Sequence, residues 1–344
     1  RIRFTDVGHL LGSASIEVWM EEEGVEKKIV FSGDIGNKNK PLIKNPSYID
    51  EADYVVMECT YGDRTHDRTH EHIEELAQIL QETLDRGGNL VIPAFAVGRT
   101  QEILYFMRKI KEEKLIKGHD DFEVYVDSPL AVEATQVFTK NIMECYDEEA
   151  MDLVNRGINP IGFPGLKLSI TSEDSKNINF DMTPKVIISA AGMCDAGRIR
   201  HHLKHNLWRP ECTILFAGYQ AVGTLGRSLL EGTQVVKLFG ETIDVEAHIE
   251  KLDGISGHAD MNGLITWVSA FKEKPSQVFL VHGDDDVCTS FAGLLHTDYG
   301  FETAAPFSGS VYDLAAGAWL KQTVGVPLRR ETERQKENRA IFEL

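Results

Sequence analysis

The chain has 344 residues, 42% of them apolar, and sets 36 Lys and Arg against 54 Asp and Glu for a formal net charge of −18. Domains usually run to roughly 100–200 residues, so two domains with ample cores are expected; 29 Gly with 11 Pro fits neither a disordered nor a collagen-like chain. The charge argues against indiscriminate binding to nucleic acid or anionic lipid but leaves room for one local basic cleft. No run of about 18 apolar residues occurs, so no membrane-spanning helix and no membrane partner is expected. Cys59, Cys145, Cys194, Cys212 and Cys288 are scattered and never paired as C-x-x-C. They signal neither a disulfide framework nor a thiolate zinc site, and fit a reducing cytoplasm.

In chain order, Arg1-Ile2-Arg3-Phe4-Thr5 enters strand-like alternation at once, with neither an initiator Met nor a leader pattern, as a fragment of a longer polypeptide would. Ser15–Met20 alternates, residues 21–24 turn, and Lys28–Phe31 runs apolar into Ser32-Gly33-Asp34. Tyr54–Met57 is a buried strand ending at Glu58. Over Thr69–Arg86 the period becomes helical, with Ile73, Leu76, Leu80 and Leu84 on one face. A strand over Asn89–Ile92, a helix over Thr100–Lys111 and a strand over Glu123–Val126 follow, then buried strands over Lys185–Ser189 and Thr213–Ala217. This alternation predicts a mostly parallel, doubly wound α/β unit. A helix over Met261–Phe271, a strand over Gln277–Val281 and a charged, solvated stretch over Arg329–Arg339 complete the reading. Phe4, Trp19, Phe31, Phe106, Trp267 and Phe279 are read as core, the cysteines as buried small hydrophobes, and His66, His70 and His72 as an exposed helix start.

Chemistry-bearing side chains stand at strand ends. His9, Asp34, Glu58 and His282 each follow an apolar strand directly, where the strand fixes the position and the loop leaves the tip open. Any one alone reads as a hydrogen-bonded strand-end residue. Four together, imidazoles and carboxylates, have the composition of a hydrolytic zinc site, in which a carboxylate can bridge two metals.

Five motifs occur in order: Gly8-His9-Leu10-Leu11-Gly12-Ser13-Ala14, Phe31-Ser32-Gly33-Asp34-Ile35-Gly36, Glu58-Cys59-Thr60-Tyr61-Gly62, Ser256-Gly257-His258-Ala259-Asp260 and Val281-His282-Gly283-Asp284. The series resembles the metallo-β-lactamase-fold nucleases with a β-CASP insert, the group of the mRNA 3′-end cleavage endonuclease and its bacterial and archaeal homologues. The resemblance implies an α/β fold: an αββα hydrolase lobe, here incomplete at its N-terminus, made of residues 1–62 and 253–344, with a doubly wound insert over 63–252. It also implies His9, Asp34 and His282 as metal ligands, with Asp34 bridging, and Glu58 orienting a histidine. His258 is implied as general acid, since imidazole titrates near neutral pH. The implied reaction is two-metal hydrolysis in which a bridging hydroxide attacks phosphorus, with two zinc ions as cofactors and catalytic roles for Glu58, His258 and Asp34.

The family's H-x-H-x-D-H signature is absent, and by the resemblance it would precede Arg1. The chain is therefore expected to be the family's protein without the first part of its hydrolase lobe, with three shared ligands, too few for two complete zinc shells. The fragment alone is expected to be impaired.

Between Lys185 and Arg227 six basic residues face two acidic ones, with His201, His202 and His205 among them. The loop from Ser189 to Arg198 lies between strand and helix, and its Gly192 and Gly197, with Arg198 and His202, are read as a phosphate or RNA cradle. Arg99, in a similar loop after residues 95–98, is a second candidate phosphate fork. The expected function is a zinc-dependent phosphodiesterase acting on RNA, single-stranded by expectation, with a homodimer as a further expectation. The alternatives are a small-ester or thioester metallo-hydrolase and a noncatalytic RNA-processing scaffold.

Overall fold

The computed structural model describes residues 1–66, 72–252 and 254–326; Thr69, His70 and Arg329–Arg339, to which readings were attached above, lie outside the described residues. The chain begins with β1 (Ile2–Asp6) and β2 (Ala14–Glu22), paired antiparallel. Glu23 and Gly24, both at positive φ, form the two-residue turn into β3 (Val25–Phe31). β4 (Tyr54–Glu58) then pairs parallel with β3.

From here the chain builds a second sheet: α1 (His72–Asp85), β5 (Leu90–Pro93), α2 (Arg99–Glu112) and β6 (Glu123–Asp127). Next come α3 (Pro129–Lys140), α4 (Ile142–Cys145), α5 (Glu148–Asn155), β7 (Leu166–Ser169) and α6 (Ser172–Phe180). β8 (Lys185–Ser189), α7 (Ile199–Asn206), β9 (Thr213–Phe216), α8 (Leu225–Leu230), the β10 (Val235–Leu238)/β11 (Glu241–Asp244) hairpin and β12 (His248–Lys251) close it. Its order is β12-β9-β5-β8-β6-β7, and every pairing is parallel. Helices cover both faces, which is why these strands read as unbroken apolar runs. Leu90, Ile92, Val186 and Ile188 point into one core with α2, while Val91, Ile187 and Ile214 point into the other with α7.

The chain then returns through α9 (Met261–Val268), β13 (Gln277–Val281), α10 (Asp285–Thr297) and β14 (Thr303–Ala304) to finish the first sheet, in the order β1-β2-β3-β4-β13-β14. One face packs Val30, Val55, Met57 and Leu280 against Leu264, Trp267, Phe291 and Leu295 of α9 and α10. On the other, a hairpin of β15 (Val311–Asp313) and β16 (Ala318–Lys321) lays Tyr312 and Trp319 over Phe279. Among the described residues no helix is long and apolar enough to cross a membrane.

Two core assignments need correction. Phe106, Trp267 and Phe279 are buried, but Phe4 is 69% exposed and Phe31 is exposed too. β1 is an edge strand, and the aromatic hairpin covers Ile29, Tyr54 and Phe279 without reaching Phe4. The cysteines are all free and four are buried.

At the end of β6 the fully buried Asp127 carboxylate ties four elements together. It accepts from Ser169 (2.7 Å), Ser175 (2.6 Å), Arg198 (2.7 Å) and His202 Nε2 (2.6 Å). Burial raises its pKa, but hydrogen bonds from His202, Ser175 and Ser169 outweigh that and hold it well below the ordinary carboxylate range. Its stabilisation is thus complete above about pH 4, the unfolded value, and is lost as pH falls through the lower folded value. Asp127→Ala leaves buried donors unpaired and is expected to cost about 3–5 kcal/mol, read from the urea midpoint; a cost below about 1 kcal/mol would contradict this role.

Candidate metal centre

Three adjacent strands, β3, β4 and β13, run parallel, and their register pairs Phe31 with Val56 and Glu58 with Val281. Residues just beyond these carboxyl ends therefore share one edge: Asp34 after β3, Glu58 at the tip of β4, His282 after β13. The β1–β2 loop carries His9 to the same edge, because β2 runs antiparallel to β3. His258 arrives from the segment before α9, bridged to Gly36.

Close approach of these loops requires glycines. A Cβ on Gly36 would stand 2.1 Å from the Gly8 carbonyl, and one on Gly257 would stand 2.8 Å from the His9 ring. His282 itself has φ 52°, the left-handed region uncommon for a residue with a side chain.

The donors converge. Asp34 Oδ2 is 3.9 Å from His9 Nε2, and Asp34 Oδ1 is 3.5 Å from His282 Nε2, so one carboxylate offers an oxygen to each histidine. Ligand atoms of His9, Asp34 and His258 all lie within 4.8 Å of one another, whereas the expected ligand His282 stands outside that group and reaches it through Asp34 Oδ1; imidazoles around a carboxylate fit a divalent cation of zinc type. Burial, then the neighbouring His258 and Lys40, push His9 down to about 4, leaving it as the neutral imidazole that binds metal.

Glu58 is the organiser. Its buried carboxylate accepts from His258 Nδ1 (3.0 Å to each oxygen), from the Ile35 amide (2.5 Å) and from the Thr60 hydroxyl (2.5 Å). Burial raises its pKa, but His258 and these other donors lower it below the ordinary value, so Glu58 is ionised at neutral pH. Held at Nδ1, His258 has Nε2 left for the site. The second layer was not read from the sequence. The Thr60 hydroxyl oxygen also lies 3.2 Å from the His282 carbonyl, Ser32 accepts from the Glu58 amide (3.0 Å), and Lys40 donates to the His9 carbonyl (3.0 Å). Thr60 and Ser32 lie within the quoted motifs and were legible there as turn hydroxyls; Lys40 has no local signal. His66, read as an exposed helix start, instead docks by Nε2 on the His258 carbonyl at 3.3 Å.

The expected phosphate contacts are placed otherwise. His202 is fully buried, with both ring nitrogens engaged by Asp127 and Asn179, so it has no surface for RNA. Arg198 is held by Asp127 and the Ile170 carbonyl. Arg99 pairs with Glu102 (2.6 Å) and donates to the Ile255 carbonyl, linking the insert to the hydrolase lobe. Gly197 is a steric requirement, since a Cβ would meet the Ala190 carbonyl at 2.3 Å, and Gly192 lies against the Phe95 ring. Two amides of this segment, those of Ala191 and Ile199, are taken up by the Ala196 and Ala190 carbonyls. The basic run is also neutralised: Lys185, Arg198, Lys204, Arg209 and Arg227 pair with Asp181, Asp127, Glu241, Glu211 and Glu231, and Arg200 stacks on Phe239. The two histidines beside it meet exposed rings at the surface, His201 stacking on Phe239 and His205 meeting Phe180 edge-on.

Two domain families match the chain. A Beta-Casp domain matches residues 100–229, and a Zn-dependent metallo-hydrolase RNA specificity domain matches residues 242–306. The chain is 35% identical over 296 residues to the protein named Ribonuclease TTHA0252 of Thermus thermophilus, covering 86% of this chain and 65% of that protein. It is 32% identical over 317 residues to the RNase J-like protein of Methanocaldococcus jannaschii, covering 90% and 70%. With the transcription termination factor FttA of Thermococcus kodakarensis it shares 30% over 314 residues, 89% and 47% of the two chains. The chain thus spans just under two thirds of the Thermus protein and about half of the termination factor.

Removing the shared carboxylate tests the donor set. Asp34→Ala in the full-length protein is expected to lose most bound zinc by elemental analysis, and wild-type stoichiometry in that variant would contradict the assignment.

Proposed function

The chain belongs to the β-CASP ribonucleases of metallo-β-lactamase fold, and from that premise we propose that the full-length protein is a zinc-dependent phosphodiesterase that cleaves single-stranded RNA. The observation that carries the reading is Asp34 set between His9 and His282 with one oxygen toward each, as a carboxylate shared by two zinc ions would be. His9, Asp34 and His282 would hold the metal. When bound, zinc supplies Lewis acidity that favours hydrolysis at a phosphoryl centre.

The remaining roles fall to the protein. Glu58 holds the proton of His258 at Nδ1, which fixes the ring and aims Nε2 toward Asp34 and His9. His258 Nε2 delivers a proton to the leaving ribose oxygen, and Glu58 stabilises the imidazolium that donates it. The match to an RNA specificity domain and the ribonuclease name of the Thermus relative support RNA over a small ester.

His258→Ala in the full-length protein is expected to lower kcat by about 10²–10⁴-fold, the range for losing a general acid, with zinc content unchanged. Full activity would remove His258 from the mechanism, and loss of zinc would make it a ligand. The wild-type protein is expected to cut single-stranded RNA and leave a small thioester intact; the reverse preference would overturn the substrate assignment.

A further inference from the structure

The parallel sheet carries an apolar feature that the metal centre does not use. β5 connects through α2 toward β6 on one side, whereas β8 connects through α7 toward β9 on the other, and the two strands are neighbours. A doubly wound sheet opens a crevice outside the carboxyl ends of two such strands. Here that crevice is bordered by Phe95 after β5, Gly192 after β8 and Tyr219 after β9. A Cβ on Gly192 would lie 3.2 Å from the Phe95 ring, and Gln220, next to Tyr219, donates to the Gly192 carbonyl at 3.0 Å. Phe95 and Tyr219 are each 52% exposed, with Val222 exposed beside them.

The segment that follows Phe95 touches the lobe that carries the metal centre. Leu10, next to His9, packs against Gly98, and Arg99 reaches the Ile255 carbonyl, three residues before His258. Meanwhile Arg99 at the start of α2, Arg198 before α7 and Arg227 in α8 are each paired with a carboxylate. The two aromatic side chains are half exposed, and these three arginines are internally paired.

Resting on the ribonuclease reading above, we infer that Phe95 and Tyr219 form a stacking platform for unpaired bases of the RNA, so that the substrate is held by its bases more than by its phosphates. Stacking on aromatic faces tolerates any base, and it binds single strands because a duplex hides its base faces. Few released counterions give a shallow salt dependence.

The test measures binding of a fluorescent single-stranded oligoribonucleotide by anisotropy, using full-length protein with His258→Ala so that cleavage does not intervene. Added Phe95→Ala or Tyr219→Ala is expected to weaken binding about five- to 100-fold. Phe95→Trp is expected to bind as the parent does, and Phe95→Leu as weakly as the alanine variant. The slope of log affinity against log salt is expected at about −1.4 or shallower, equivalent to two phosphates on a single strand. Unchanged affinity in both alanine variants, rescue by leucine as good as by tryptophan, or a steeper slope would overturn the platform. A changed oligomeric state with unchanged RNA affinity would overturn it too, assigning the patch to a second copy. If the wild type cleaves RNA while the alanine variants bind normally, only the platform fails. If it does not cleave but binding depends on Phe95, only the nuclease reading fails.

Discussion

Parallel pairing of β3, β4 and β13 is the constraint on which the site depends. Because the three strands run the same way in fixed register, residues far apart in the chain leave the sheet at one edge, and Asp34, Glu58 and His282 become neighbours without any local sequence relation. The insert between β4 and β13 does not disturb this, since it departs and returns on the same lobe. Sheet hydrogen bonds and the packing of Val55, Met57 and Leu280 fix the strand ends. Gly8, Gly36 and Gly257 then let the loops close to distances that a side chain forbids.

Within that frame the electrostatics are divided between the two lobes. In the hydrolase lobe, among the described residues, Asp34 has no ion pair with a Lys or Arg and faces the imidazoles of His9 and His282. In the insert the opposite holds, with arginines bound to carboxylates and Asp127 buried among hydroxyls, Arg198 and His202. Such internal pairing organises the loops at the carboxyl edge of the second sheet, and it leaves aromatic faces, rather than bare cations, as what the crevice presents.

Much of this was legible in the sequence, for physical reasons that differ by element. Strands buried on both faces, such as Lys185–Ser189, read as apolar runs with the observed bounds. α6 went unread because it buries only Ser175 and Ile178, and its one signal is the Thr171–Asp174 capping box. α10 was missed although Val287, Phe291 and Leu295 form a helical stripe; its acidic first turn hides the pattern. The donors His9, Asp34, Glu58 and His282 were visible because each follows an apolar run. What the sequence hid is pairing at a distance. Of the carboxylates that pair with the basic run, only Glu211 lies inside that segment, so five of its six cations find partners, all but that one outside the segment. The left-handed turn at His282 and the burial of His202 likewise depend on neighbours that no local pattern reveals.

The most direct measurement of the central claim, that one carboxylate is shared between two histidine-bound cations, is anomalous diffraction at the zinc edge from crystals of the full-length protein. Two peaks are expected, one on each side of Asp34: the first within about 2.2 Å of His9 Nε2 and an Asp34 oxygen, the second equally close to His282 Nε2 and the other oxygen. Zinc bound elsewhere, or Asp34 outside the coordination shell of both ions, would contradict it.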